Sequence, residues 1–207
     1  MRRSILLLAT VVAVLALASD ASAQWFVDGY VGASLTSEDT ITFTTFGVER
    51  EQDADFKSSA IFGARLGKWF DALPWLGLAT DVSYFRASAD LHVFPMTALL
   101  MARYGLLRDD EFKHGRLQPY AGLGGGLFIS HLDGSIGFLE ASDTSADIGL
   151  DVRLGVAYHF ETSWAGFFEY RFTHTSPTYT VEPFGGSTPG DTTLNTNHFV
   201  LGVSYRF

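Results

Sequence analysis

Nine charged residues stand out by their spacing. Asp28, Arg65, Asp81, Arg103, Asp151, Arg153, Glu169, Arg171 and Arg206 lie in segments where apolar residues recur at every second place. Each takes the polar side of that alternation, which is the period of a strand with two unlike faces. Four acids and five arginines gathered on such faces can form ion pairs, because a planar guanidinium meets a carboxylate through two parallel hydrogen bonds. Asp151 and Arg153 lie two apart on one strand, as do Glu169 and Arg171 on the next. Adjacent antiparallel strands can set such pairs opposite one another. Two uses follow: a salt-bridged plug that fixes the fold, or a gated polar pathway. The plug is the reading preferred, since such side chains leave little room for water in a narrow interior. Other chemistry is thin. The six His lack metal-ligand spacing, and the chain has no Cys. Gly124-Gly125-Gly126 lacks the Lys-Ser/Thr of a phosphate loop and reads as a bend in a curved wall. No cofactor, metal or catalytic residue is assigned.

Eight strands must position these groups. The first runs about Trp25–Thr36, with Val27, Val31 and Leu35 opposite Asp28, Tyr30 and Ser34. The second (about Asp55–Trp69) sets Phe62 and Leu66 against Arg65, and the third (about Leu76–Ala87) sets Val82 and Tyr84 against Asp81. The fourth, about His92–Leu106, is nearly continuous and apolar over Met96–Leu106, where a helix is the alternative. The fifth spans about Leu117–Leu132 and the sixth about Ala146–Phe160, which alternates without a break from Ile148 to Phe160. The seventh is Trp164–His174. The eighth closes the chain, with Phe199, Leu201, Val203, Tyr205 and Phe207 on one face. Connections Ser37–Ala54, Asp133–Ser145 and Ser176–Thr196 read as long polar loops, and Asp71–Pro74 and Glu161–Ser163 as tight turns.

The amino end reads as a secretory signal peptide over residues 1–23. It has basic Arg2-Arg3, an apolar run from Ile5 to Ala18, and Ala21-Ser22-Ala23 as the cleavage site. That leaves one domain, residues 24–207. The 207-residue chain carries a net charge of −9, and cleavage removes two of its 14 basic and one of its 23 acidic residues, leaving about −10. So acidic a chain argues against nucleic acid as a partner.

Three features converge: long odd-numbered loops beside short even-numbered turns, eight alternating strands, and an aromatic carboxyl terminus with Tyr205 two places before Phe207. With these the chain resembles small OmpA-type outer-membrane β-barrel proteins, along its whole mature length. The resemblance implies an all-β fold, an eight-stranded antiparallel transmembrane β-barrel wound as an up-and-down meander. It implies location in the bacterial outer membrane, with apolar faces toward lipid and the nine charges inside. Phe199, Leu201, Val203, Tyr205 and Phe207 would be the barrel-assembly signal. The expected partners are the barrel assembly machinery, periplasmic chaperones during export, and outer-membrane lipid and lipopolysaccharide. The expected role is structural or through surface loops, without catalysis, with a narrow porin-like channel as the alternative.

A further resemblance is smaller. His174-Thr175-Ser176, with Glu182 downstream, looks like the His-x-Ser of outer-membrane lipid A deacylases. There His deprotonates Ser and a carboxylate orients His. Pro177 stands where that family has Asn, and Glu182 is closer than its pattern sets it. A lipid A deacylase-like hydrolase using His174 and Ser176 is the less favoured alternative.

Overall fold

The computed structural model describes residues 24–39, 43–45, 48–50, 57–87, 91–136, 139–176, 178–181, 188–191 and 193–207. The segment read as a signal peptide and Glu182 lie outside them. Eight long strands close into one barrel: β1 (Gln24–Asp39), β4 (Lys57–Trp69), β5 (Leu76–Arg86), β6 (Leu91–Arg103), β7 (Leu117–Ile136), β8 (Leu139–His159), β9 (Trp164–Thr175) and β12 (Thr193–Arg206). Each pairs antiparallel with its neighbours in chain order, and β1 pairs with β12 to close the sheet. Four short strands build two hairpins outside the barrel wall: β2 (Phe43–Thr45) with β3 (Val48–Arg50), and β10 (Thr178–Val181) with β11 (Thr188–Asp191).

Alternation decides which way each side chain points. On β1, Phe26, Asp28, Tyr30, Ser34 and Thr36 are buried, while Val27, Val31 and Leu35 are exposed. The same parity holds on every wall strand. The exterior is therefore apolar around the circumference, with Leu66, Val82, Leu100, Leu123, Leu154 and Leu201 all exposed. Aromatic side chains flank it. Trp164 and Tyr205 meet in a tilted contact at 4.8 Å near the termini, and Phe62, Tyr84 and Phe94 cluster toward the other end at 5.2 and 4.8 Å. An apolar band bordered by aromatics with a polar interior is the inside-out arrangement of a barrel that spans a bilayer. No helix among the described residues is long and apolar enough to cross a membrane.

The seam is sealed at its last residue. Trp25 N–H donates to the Phe207 carbonyl and Phe207 N–H to that of Trp25, both at 3.1 Å. All backbone polar groups of a spanning sheet must be satisfied within it, which is why closure is obligatory.

One expectation is corrected and two are refined. Asp133–Ser145 is not a long loop. The β7–β8 ladder continues through it, from Leu132↔Asp143 to Ile136↔Leu139. Ser, Thr and Asp weaken the apolar alternation there, yet the backbone ladder does not require an apolar face. Gly124-Gly125-Gly126 makes no bulge, since the β6–β7 register runs unbroken from Leu99↔Gly124 to Thr97↔Gly126. These glycines serve close approach instead: a Cβ at Gly124 would overlap the Ala98 carbonyl oxygen, and one at Gly126 that of Met96. The stretch Met96–Leu106 is strand through Arg103. Beyond it, Leu106 still bridges to Leu117.

Candidate functional site: the charged lumen

All nine charged residues singled out above are buried inside the barrel, from Arg153 and Glu169 at 0% exposure to Arg103 at 7%. Seven of them join one network. Glu169 on β9 is its most connected acid. Its Oε2 accepts from Arg65 Nη1 at 2.6 Å and from the Tyr120 hydroxyl at 2.9 Å, and its Oε1 accepts from Arg171 Nη2 at 3.0 Å. Arg153 Nη1 lies 3.7 Å from the same oxygen. Asp81 on β5 is the second hub. Its Oδ2 accepts from Arg153 Nη1 at 2.8 Å. Its Oδ1 accepts from the Tyr30 hydroxyl at 2.8 Å and Arg171 Nη1 at 3.3 Å. Asp151 takes two hydrogen bonds from Arg153, at 2.9 and 2.6 Å, and one from Thr97 Oγ1 at 3.1 Å. Asp28 accepts from Arg65 Nε at 2.6 Å.

The order of these pairs departs from a strand-to-strand ladder. Arg153 and Arg171 are register partners, so two cations face each other where paired opposites were expected. Each closes on the acid two places away on its own strand, and Asp81 reaches both from across the lumen. Such a contact depends on the stagger of the whole barrel rather than on any one pairing.

Arg103 and Arg206 do not join. Arg103 donates to three neutral oxygens, the Pro74 carbonyl at 2.9 Å, Gln24 Oε1 at 3.1 Å and Gln118 Oε1 at 3.2 Å, and its guanidinium lies 4.2 Å from the centre of the Trp69 ring. Arg206 Nε is buried without a hydrogen-bond partner. Both stand toward the end of the barrel that carries the termini. Between them and Arg65 is a cavity of about 20 Å³, which Asp28, Tyr120, Phe26 and Phe167 also line. That is room for about one water.

Four groups outside the charged set stand out among the other buried polar side chains. Tyr30, Tyr120 and Thr97 give their hydroxyls to carboxylates. His198 is fully buried, with Ser34 Oγ 2.7 Å from Nδ1, Thr173 Oγ1 3.0 Å from Nε2, and Phe85 edge-on at 4.8 Å. The signal that could have found them is parity, since all share the polar face with the charges. Among the described residues no group of His, Asp and Glu could hold a metal ion.

His174 and Ser176 lie on the outward parity at the far rim, both exposed. His174 Nδ1 is 2.8 Å from Asn195 Oδ1 on β12. Phe199, Leu201, Val203, Tyr205 and Phe207 form one exposed row on the outside of the seam.

Comparison with known proteins agrees with this architecture. The family described as outer membrane protein beta-barrel domain matches residues 4–207. The fold is similar to that of Neisserial surface protein A, at 16% identity and a TM-score of 0.56, over 88% of this chain and 97% of that one. It is also similar to the outer membrane protein AlkL, at 17% identity and a TM-score of 0.55, over 89% and 90%. No curated protein sequence matches. At such identities the two structures speak to the fold alone. The match over nearly the whole length, together with the closed eight-stranded wall, shows that the chain belongs to the outer membrane protein beta-barrel domain family.

Proposed function

We propose that the protein works without catalysis, as a closed outer-membrane barrel whose role is structural or carried by its outer hairpins. The observation that carries this reading is the lumen. Seven charges and two tyrosines interlock across it, and the cavity beneath them has room for about one water. A hydrated ion cannot pass without breaking several charge-assisted hydrogen bonds at once. The two hairpins and the extended β7–β8 ribbon rise from the end opposite the termini, where a partner outside the cell would meet them. The termini and short turns then face the periplasm, and the outward row ending in Phe207 is the segment offered to the assembly machinery. His174 bonded to Asn195, rather than to Ser176, favours a structural rim over a hydrolytic one.

Planar-bilayer recording of the refolded mature protein tests this. The expected record is silent. Discrete, reproducible openings in the unmodified protein would replace the closed barrel with a narrow pore.

A further inference from the structure

A cleft of about 350 Å³ opens at the end of the barrel that carries the termini, between the turn before β5 and the β6–β7 connection. Arg103, Arg108, Lys113 and His114 line it, with Trp75 and Tyr104 on its outer side. None of its lining residues is acidic. Arg103 brings to it a buried charge that only neutral oxygens balance. Arg206, also buried, adds a second cation behind it with its Nε unpartnered. Two of the connection's three acids are engaged elsewhere. Asp109 and Glu111 lie 3.9 and 3.5 Å from Arg116, and Asp109 Oδ1 accepts the N–H groups of Glu111 and Phe112. His114 reports the resulting field: burial lowers its pKa, and Arg103, Arg206 and Arg108 lower it further, with Asp71 acting the other way.

The cleft is preformed. Gln118 Nε2 donates to the carbonyls of His114 and Gly115 at 3.2 and 2.7 Å, while its Oε1 holds Arg103. Gly115 has φ +91°, and a Cβ on it would press on the Leu106 carbonyl oxygen. Arg108 Nε bonds the Gly105 carbonyl at 3.2 Å. Convergent guanidinium and ammonium donors with no competing carboxylate suit a tetrahedral oxyanion. The half-exposed Trp75 and Tyr104 set the cleft at the edge of the apolar band.

We propose that this cleft binds a phosphate group, either the phosphodiester of a lipid headgroup or soluble phosphate. Arg103 is its fixed floor, and Arg108 and Lys113 close on the oxygens from the connection.

The test follows side-chain ¹⁵N–¹H signals of the arginines in protein refolded into dodecyl maltoside, a detergent without phosphate. Inorganic phosphate should shift the Arg103 and Arg108 signals saturably, beyond what sodium chloride does at equal ionic strength. Combined Arg108→Gln and Lys113→Gln, both on exposed positions, should raise the apparent Kd at least tenfold. The same titration in phosphatidylcholine nanodiscs separates the sources: loss of the response assigns the site to headgroups, and a retained response assigns it to soluble phosphate. No saturable shift in maltoside, a shift that chloride reproduces, or a Kd that the double substitution leaves unchanged would each overturn the proposal.

Discussion

Arg153 on β8 and Arg171 on β9 face each other as register partners inside the barrel, and neither is exposed beyond 1%. Like charges directly opposite on neighbouring strands repel. Here the repulsion is contained because Asp81 offers one oxygen to each, at 2.8 and 3.3 Å, and Glu169 lies 3.7 and 3.0 Å from the two. The arginine pair is therefore held together by acids that come from other positions.

Asp81 should accordingly matter more than Asp151. Asp81→Asn leaves two buried arginines facing each other with one shared acid fewer, and removing one partner of a buried pair costs about 3–5 kcal/mol. Asp151→Asn weakens contacts to Arg153 and Thr97 alone, and the expected loss is about 1–3 kcal/mol. Urea unfolding of both variants in lipid vesicles gives the ranking. Equal losses would mean that Asp81 does not bridge.

Tyr30 and Tyr120 contribute as donors to carboxylates rather than as bulk. Tyr30→Phe and Tyr120→Phe keep the ring and remove a charge-assisted hydrogen bond, for an expected loss of about 1.5–3 kcal/mol each. The same unfolding assay reads it. Unchanged midpoints would show that the rings alone carry these positions.

The glycines on β7 are expected to be intolerant where a wall backbone lies against them. Gly126→Ala places a Cβ on the Met96 carbonyl oxygen, whereas Gly29→Ala on β1 meets nothing within 4 Å. Overpacking of this kind costs about 1–3 kcal/mol. Heat-modifiable migration on gels after refolding should show poor folding for Gly126→Ala and normal folding for Gly29→Ala.

Much of this was legible in the residues. Parity alone puts Asp28, Arg65, Asp81, Arg103, Asp151, Arg153, Glu169, Arg171 and Arg206 on inward faces, because a strand period of two admits one inward set. What parity lacks is height and stagger. It cannot show that Arg65 and Arg171 both reach Glu169, that Asp81 reaches Arg153 from 72 residues away, or that Arg103 and Arg206 stand apart. Asp133–Ser145 reads as a loop because turn-forming residue types outweigh a ladder that needs only backbone. Three consecutive glycines signal a bend as readily as close packing; the unbroken register excludes a bulge, and the Ala98 and Met96 carbonyls set against Gly124 and Gly126 show the close packing.

Assembly and stability can be told apart by substituting the terminal aromatic. The Phe207 side chain is 64% exposed on the outside of the wall, while its backbone closes the seam with Trp25. Phe207→Ala should lower the amount of barrel in the outer membrane several-fold. Refolded protein should lose no more than about 1 kcal/mol, as for other exposed positions. A large loss in the purified protein with normal cellular levels would reverse the assignment.

If the lumen charges hold the barrel shut, Arg171→Ala should show it in urea unfolding and planar-bilayer conductance measured on the same preparation. Leaving Asp81 and Glu169 each short of one buried partner should cost roughly 2–4 kcal/mol, and the conductance record should stay silent. Unchanged stability together with new, ion-selective openings would make the network a gate and not a plug.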